Sequence, residues 1–329
     1  VVVAVALAAV FAAIVLHELG HVAGGRLRGM RLVLFAAGPV LVLGRPGRRL
    51  EWRFNRILPL WGGLAAMAPA TQGDFRRDML VVAAAGPAAS LVAAALAAVA
   101  GAALQAGGSA GAAGAAFILA FLCGAIGFAT GLPLRAGGYL SDGAQCRELL
   151  RGGGEVLQRA AAARLFARSL AGTRPRDWPP EEVEAALAPG GPAVYATSAL
   201  LLGAAHALDR GERALARERL LALAERIADI PDGFRQAAAA EIAAFLGEEG
   251  DAVGARAWAG AAKGGLVEPH QRELVRAAVA FAEGRDEDAR RAAASARATL
   301  GRSWDAGAAQ AALERLDALE RRGAGVAQR

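Results

Sequence analysis

The sequence predicts a mainly α-helical membrane protein: a polytopic helical core with a small membrane-associated β-sheet, followed by a soluble α-helical, repeat-like domain. Three observations carry this expectation. Of 329 residues, 55% are hydrophobic and 21% charged, and the mean hydropathy of +0.33 is above that of an ordinary soluble chain, which excludes a disordered or fibrous protein. Charge is unevenly divided: residues 1–150 hold 12 Arg against 6 acidic side chains, whereas 151–329 hold 25 basic against 25 acidic. The stretch from Met79 to Leu134 contains no Asp, Glu, Lys or Arg and is too long for a single membrane span.

Taken in order, the first element is a span over residues 1–23. Val1 to Leu16 contains no polar side chain. No basic flank precedes it, so it reads as a membrane helix that the chain enters already helical rather than as a signal peptide. The charge-free stretch divides into a span over 79–104, a turn through Gly107, Gly108, Ser109 and Gly111, and a span over 115–134, each close to the ~20 apolar residues that cross a bilayer. Between the first two spans the period changes. The runs Arg31-Leu32-Val33-Leu34-Phe35 and Pro39-Val40-Leu41-Val42-Leu43, a turn at Gly44-Arg45-Pro46-Gly47, and the alternating Leu50-Glu51-Trp52-Arg53-Phe54-Asn55 predict a small antiparallel sheet in the region 31–56. These elements make residues 1–150 one domain.

Residues 151–180 read as a linking helix and a Pro-rich break, bounded by Gly152-Gly153-Gly154 and Arg174-Pro175-Arg176-Asp177-Trp178-Pro179-Pro180. From 181 to 329 the chain is alanine-rich and helical. Gly211, Gly250 and Gly284 are each followed five residues later by Ala216, Ala255 and Ala289, which looks like tetratricopeptide-type helical hairpins. Such an array suits a protein partner or the chain itself; a plain solvated helical domain is the simpler reading. His206, His270 and Trp258 read there as packing or surface residues.

Orientation follows from the arginines. Ten of them, from Arg26 to Arg77, lie between the first and second spans, and the 105–114 connection has no charge. The excess of basic loops predicts that 24–77 and everything after Arg135 face the cytoplasm. Cys123 and Cys146 form no CxxC pair and predict no disulfide framework, as suits a cytosol-facing protein. The ratio of 36 Arg to one Lys points to a GC-rich bacterial genome by association.

Inside the first span sits His17-Glu18-Leu19-Gly20-His21. Residues four apart share a helix face, so both imidazoles can meet one zinc ion while Glu18 reaches a water beside it. Ionisable groups at membrane depth are costly and usually functional, which weighs against a chance HExxH on a solvated helix. A catalytic zinc needs a third protein ligand and an open position. His206 and His270 lie far along the charged half. Asp142, after Leu132-Pro133-Leu134-Arg135, stands where the third span returns to the side of His21; Asp142-Gly143 is equally a common turn pair.

Together these segments resemble the site-2 protease family of intramembrane zinc metalloproteases. The resemblance covers residues 1 to about 150 and rests on the order of several motifs: His17, Glu18 and His21; Leu58-Pro59-Leu60-Trp61-Gly62-Gly63; Ala85-Gly86-Pro87; and Pro133, Asp142 and Gly143. It implies one zinc per chain held by His17, His21 and Asp142, Glu18 as general base and acid, and a sheet edge that presents an unwound substrate segment. Thr130 and Ser90 stand where the family usually has Asn, and the Pro133 to Asp142 spacing is longer than in its compact versions. Asn offers a donor and an acceptor for a peptide backbone, whereas Thr and Ser keep only a hydroxyl.

The expected function is therefore cleavage of a transmembrane segment of another membrane protein in a multi-pass, bacterial cytoplasmic-membrane setting, with the site and the C-terminal domain on the cytoplasmic side. The expected partners are the membrane-protein substrate, the lipid bilayer and a protein on the helical domain; no nucleic acid is expected. The alternative is a non-catalytic membrane-anchored scaffold with a degenerate protease core and a partner-binding repeat domain. A transporter using His17 and Glu18 would need more spans.

Overall fold

The computed structural model describes the chain except for residues 1, 45–48, 69–73, 137–138, 190–192, 231, 265 and 327–329. The chain divides into two compact units, Val1–Val156 and Leu157–Arg329. Both are mainly helical, and a small antiparallel sheet lies in the first.

In the first unit, α1 (Val2–Leu27), α2 (Phe75–Ala106) and α3 (Ala110–Gly131) are long and apolar enough to cross a membrane. They correspond to the three expected spans, with α1 running on to Leu27, α2 starting four residues early, and α3 starting five residues and ending three residues earlier than expected, so that Gly111 is inside it rather than in the turn. Asp74 causes the early start of α2: its carboxylate caps the helix by accepting the Arg77 N–H, so the charged turn Arg76-Arg77-Asp78 is helical too. At 32 residues, α2 is about 48 Å long, more than a ~30 Å bilayer core requires. Helix α1 lies against α2 through Gly20 and Gly24. A Cβ at Gly20 would stand 2.5 Å from the Ala85 carbonyl oxygen, and one at Gly24 would stand 2.6 Å from Ala85 Cβ. Small residues at this spacing are what allow membrane helices to approach so closely.

The sheet comprises β1 (Arg31–Ala37), β2 (Val40–Leu43), β3 (Glu51–Phe54) and β4 (Leu64–Ala68), in the order β3-β2-β1-β4. All neighbours are antiparallel, with Leu34 opposite Leu43, Val42 opposite Trp52 and Arg31 opposite Ala68. Phe35, Ala37 and Val42 pack on Phe11, Ile14 and Val15 of α1. The first three strands fall where the sequence places them; most of the expected 44–47 turn lies outside the described residues. The fourth strand, β4, was not anticipated. After α3, a short hairpin of β5 (Arg135–Ala136) and β6 (Tyr139–Leu140) leads to α4 (Asp142–Arg151). The hairpin takes up the long Pro133 to Asp142 spacing, although residues 137–138 are outside the described set.

The second unit continues the chain with α5 (Gly154–Leu170), a 3₁₀ turn (Pro175–Asp177), α6 (Pro180–Leu187), α7 (Ala193–Asp209), α8 (Arg213–Glu225), α9 (Asp232–Glu248), α10 (Ala252–Ala261), α11 (Pro269–Ala282), α12 (Asp286–Leu300) and α13 (Ala306–Val326). Gly211, Gly250 and Gly284 turn α7 into α8, α9 into α10 and α11 into α12. All three have positive φ (78°, 87° and 71°). In each turn the next N–H bonds a carbonyl five residues back: Glu212 to Ala207, Asp251 to Leu246 and Arg285 to Ala280, the helix-ending pattern that glycine permits. Ala216, Ala255 and Ala289 are buried just beyond.

Candidate metal centre

Helix α1 carries His17, Glu18 and His21, and all three are buried. A side chain at this depth must find its polar partners within the protein. For the two imidazoles, α2 supplies them. His21 Nδ1 donates to the Val82 carbonyl oxygen at 2.7 Å, and His17 Nδ1 is 3.0 Å from Ser90 Oγ. The carbonyl bond commits Nδ1 of His21, which leaves Nε2 as the nitrogen that can meet a metal, and both rings are held with Nε2 pointing away from α2's hydrogen-bonding groups. Ser90 itself is fully buried. Its hydroxyl is engaged with an imidazole, and the Thr130 hydroxyl bonds the Ile126 carbonyl at 2.9 Å.

Asp142 arrives from a separate element. It opens α4, whose N-cap Ser141 accepts the Ala144 and Leu134 N–H groups and donates to the Leu132 carbonyl. The next residue must be glycine: a Cβ at Gly143 would lie 2.0 Å from the Gly131 carbonyl oxygen, so the Asp-Gly pair lets α4 start directly against the end of α3. At the other end of α4, Arg76 of α2 donates to the Leu149 and Leu150 carbonyl oxygens. The two contacts pin the helix that carries the carboxylate.

The result is a triangle of donor atoms. His17 Nε2 lies 3.2 Å from Asp142 Oδ2, His21 Nε2 lies 3.5 Å from Asp142 Oδ1, and the two Nε2 atoms are 3.2 Å apart. Ligands on one tetrahedral zinc at 2.0–2.1 Å would be separated by about 3.3 Å, so nitrogen, nitrogen and oxygen stand at the spacing that a single such ion needs. The three could hold a metal ion. Burial opposes charge on Asp142, but its hydrogen bonds to His17 and His21 prevail and hold the carboxyl below its ordinary range.

Glu18 points toward a different neighbour, the loop before β4. A Cβ at Gly63 would stand 2.3 Å from Glu18 Oε1, and Gly63 has φ of 108°, a conformation open to glycine. Gly86 is constrained from the other side, since a Cβ there would lie 2.3 Å from His21 Nε2. The Gly-Gly and Gly-Pro segments singled out in the sequence are therefore the places where backbone comes into contact with Glu18 and His21. His206 and His270 belong to the second unit: His206 Nδ1 bonds the Pro175 carbonyl oxygen at 2.6 Å and its ring stacks on Trp178, while His270 is buried beside Glu268.

Sequence reasoning missed three parts of this arrangement: the Ser90 partner of His17, the Val82 partner of His21 and the cap that presents Asp142. Only Ser90 had a signal, its place four residues after Gly86 in the Gly-Pro motif.

The profile of peptidase family M50 matches residues 5–282, from within α1 to the end of α11. Neither the comparison with curated proteins nor that with solved structures gave a match. Three apolar helices, an HExxH on the first and a family match over most of the length converge: the chain belongs to peptidase family M50, the site-2 protease family of membrane metallopeptidases.

Proposed function

We propose that the protein is an intramembrane zinc endopeptidase that cleaves a transmembrane segment of another membrane protein, as in regulated intramembrane proteolysis. The observation that carries this reading is the triangle of buried His17 and His21 with half-buried Asp142, and buried Glu18 beside it. His17, His21 and Asp142 would hold one zinc, which when bound supplies Lewis acidity for the scissile carbonyl and acidifies water. Glu18 takes the proton of the attacking water on its carboxylate and returns it to the departing amine. Ser90 and the Val82 carbonyl of α2 keep both imidazoles in register.

The strand β4 begins directly after Gly63, the residue against Glu18, so its outer edge is the nearest surface on which an unwound substrate strand can add by main-chain hydrogen bonds. At the far edge, Trp52 and Phe54 of β3 are exposed beside Arg53 and Arg56, a composition suited to the lipid interface. The arginines of the 24–77 segment, Arg45 and Arg48 among them lying outside the described residues, support a site on the cytoplasmic side of a bacterial membrane. Residues 1–150 act as the protease core, 151–180 as the link, and 181–329 as a tetratricopeptide-like array for a protein partner.

The test is Glu18→Gln, which keeps hydrogen bonding but cannot hold the transferred proton. Purified protein should contain about one zinc per chain, and the variant should retain it while cleaving a membrane substrate about 10² to 10⁴-fold more slowly. His17→Ala or His21→Ala should lose the metal. Equal cleavage by wild type and Glu18→Gln would refute the mechanism and leave the scaffold alternative.

A further inference from the structure

The cluster of His17, His21 and Asp142 borders a cavity of about 580 Å³, with Asp142 part of its lining. Ala84 and Pro87 of α2 and Pro133 after α3 give it apolar walls, and Arg147 and Arg151 of α4 face the same space. These two arginines are four residues apart and so share one face of the helix. Both are exposed, and neither has a hydrogen bond or ion pair with a described residue. Their neighbours differ: Arg135 pairs with Glu148 at 2.6 Å, and Arg76 is bound to the Leu149 and Leu150 carbonyls. The cavity thus combines an apolar lining, two guanidinium groups unpaired among the described residues, and a wall that includes Asp142.

We propose that this cavity receives the part of the substrate next to the scissile bond, and that Arg147 and Arg151 select substrates with acidic residues in the flank that leaves the membrane beside α4. The proposal rests on the proteolytic reading above. A segment lying in the cavity is within a side chain's reach of Asp142, so it is continuous with the reacting peptide bond. Guanidinium groups recognise carboxylates through paired hydrogen bonds. A lysine-rich or arginine-rich flank, which most membrane proteins carry on the cytoplasmic side, meets two like charges instead, so selection works by repulsion as much as by attraction. An anionic lipid headgroup offers similar chemistry, but a resident lipid would fill the space through which Asp142 faces the substrate; continuity with the metal cluster favours the peptide.

The experiment uses the full chain, zinc-loaded, in phosphatidylcholine vesicles, with three substrates that differ only in a Glu-Glu, Gln-Gln or Lys-Lys pair in that flank. Wild type should prefer Glu over Gln over Lys in kcat/KM by about three- to tenfold between the extremes, mainly through KM, and the preference should shrink in high salt. The double variant Arg147→Glu with Arg151→Glu should invert the order, which a folding defect cannot do. If that protein does not accumulate, Arg147→Gln with Arg151→Gln should flatten the order. Equal kcat/KM for all three substrates with wild type would overturn the proposal and leave proteolysis intact. An unchanged order in the variants would overturn it too. Stimulation of all three substrates alike by added phosphatidylglycerol, lost in the double Gln variant, would make the cavity a lipid site instead. Failure to cleave any substrate with zinc bound would bring down the proteolytic reading, and this proposal with it.

Discussion

The two units are built from the same alanine-rich alphabet and arranged in opposite senses. In the first, large apolar side chains such as Leu96, Val99, Phe121 and Phe128 are exposed, and His17, Glu18, His21, Asp78 and Ser90 are buried. In the second, the aliphatic side chains form the core, as with Leu220, Leu223, Phe245 and Leu316, while arginines and carboxylates pair outside it. The difference shows which solvent each unit is folded against. Lipid gives no reward for hiding an alkyl chain, so the membrane helices pack through glycine and alanine and use their interior for polar groups. Water does reward it, at roughly 25 cal/mol per Å², and the helical unit is assembled accordingly.

The contrast is sharpest where the second unit breaks its own rule. Arg315 of α13 is mostly buried and joins Glu241 and Glu248 of α9, with Glu248 at 2.6 Å and also reached by Arg213 of α8. Removing one member of a buried ionic cluster leaves its partners uncompensated. Arg315→Ala should therefore destabilise the helical unit by about 3 kcal/mol or more, measured by denaturant unfolding. A loss near zero would mean that water reaches the cluster and that the unit is looser than its packing suggests.

A comparable effect is expected from pH. Burial pushes His270 down to about 4, even with Glu268 Oε2 4.0 Å away, from roughly 6.5 in an unfolded chain. The fold favours the neutral ring, so stability is complete above pH 6.5 and declines as pH falls from there toward 4, by up to about 3 kcal/mol. Burial raises the Asp305 carboxyl and acts in the opposite direction. The observable is therefore the difference between wild type and His270→Gln, which should lose that part of the acid sensitivity. Parallel stability curves for the two proteins would show that His270 is protonated without cost.

The smallest expected effect lies in the membrane unit. Ser90→Ala keeps the helix and removes the hydroxyl that meets His17 Nδ1. Partners of this type support metal affinity by about 10- to 100-fold, so zinc affinity from chelator competition should fall within that range while the protein stays folded. An unchanged affinity would mean that packing against α2 alone orients the ring.

How much of this was legible in the sequence depended on whether the signal was local. The three spans could be read because hydropathy is a property of consecutive residues, and the HExxH because residues four apart meet on any helix. The α2 start was misplaced because charge, not capping, was used to mark it; Asp74 was the signal to read. Strand β4 was invisible because Leu64-Ala65-Ala66-Met67-Ala68 has neither β-branched residues nor an apolar–polar alternation, and it is a strand only because β1 is there to pair with it. The Ser90 to His17 bond joins helices 73 residues apart, and the phase of one helix against another is set by packing at Gly20 and Gly24.

The position of Asp142 has a mechanical consequence. It belongs to the last helix of the first unit, whereas His17 and His21 belong to the first. On the proposed ligand set, a single ion fastens the two ends of this unit together across roughly 120 residues of chain. Closing so long a loop removes much of the freedom of the unfolded state, and the free energy of capturing the ion becomes free energy of folding. Zinc would then be a tether for the architecture as well as a reagent, and a chelated protein should show faster amide exchange in α4 before any other helix of the unit.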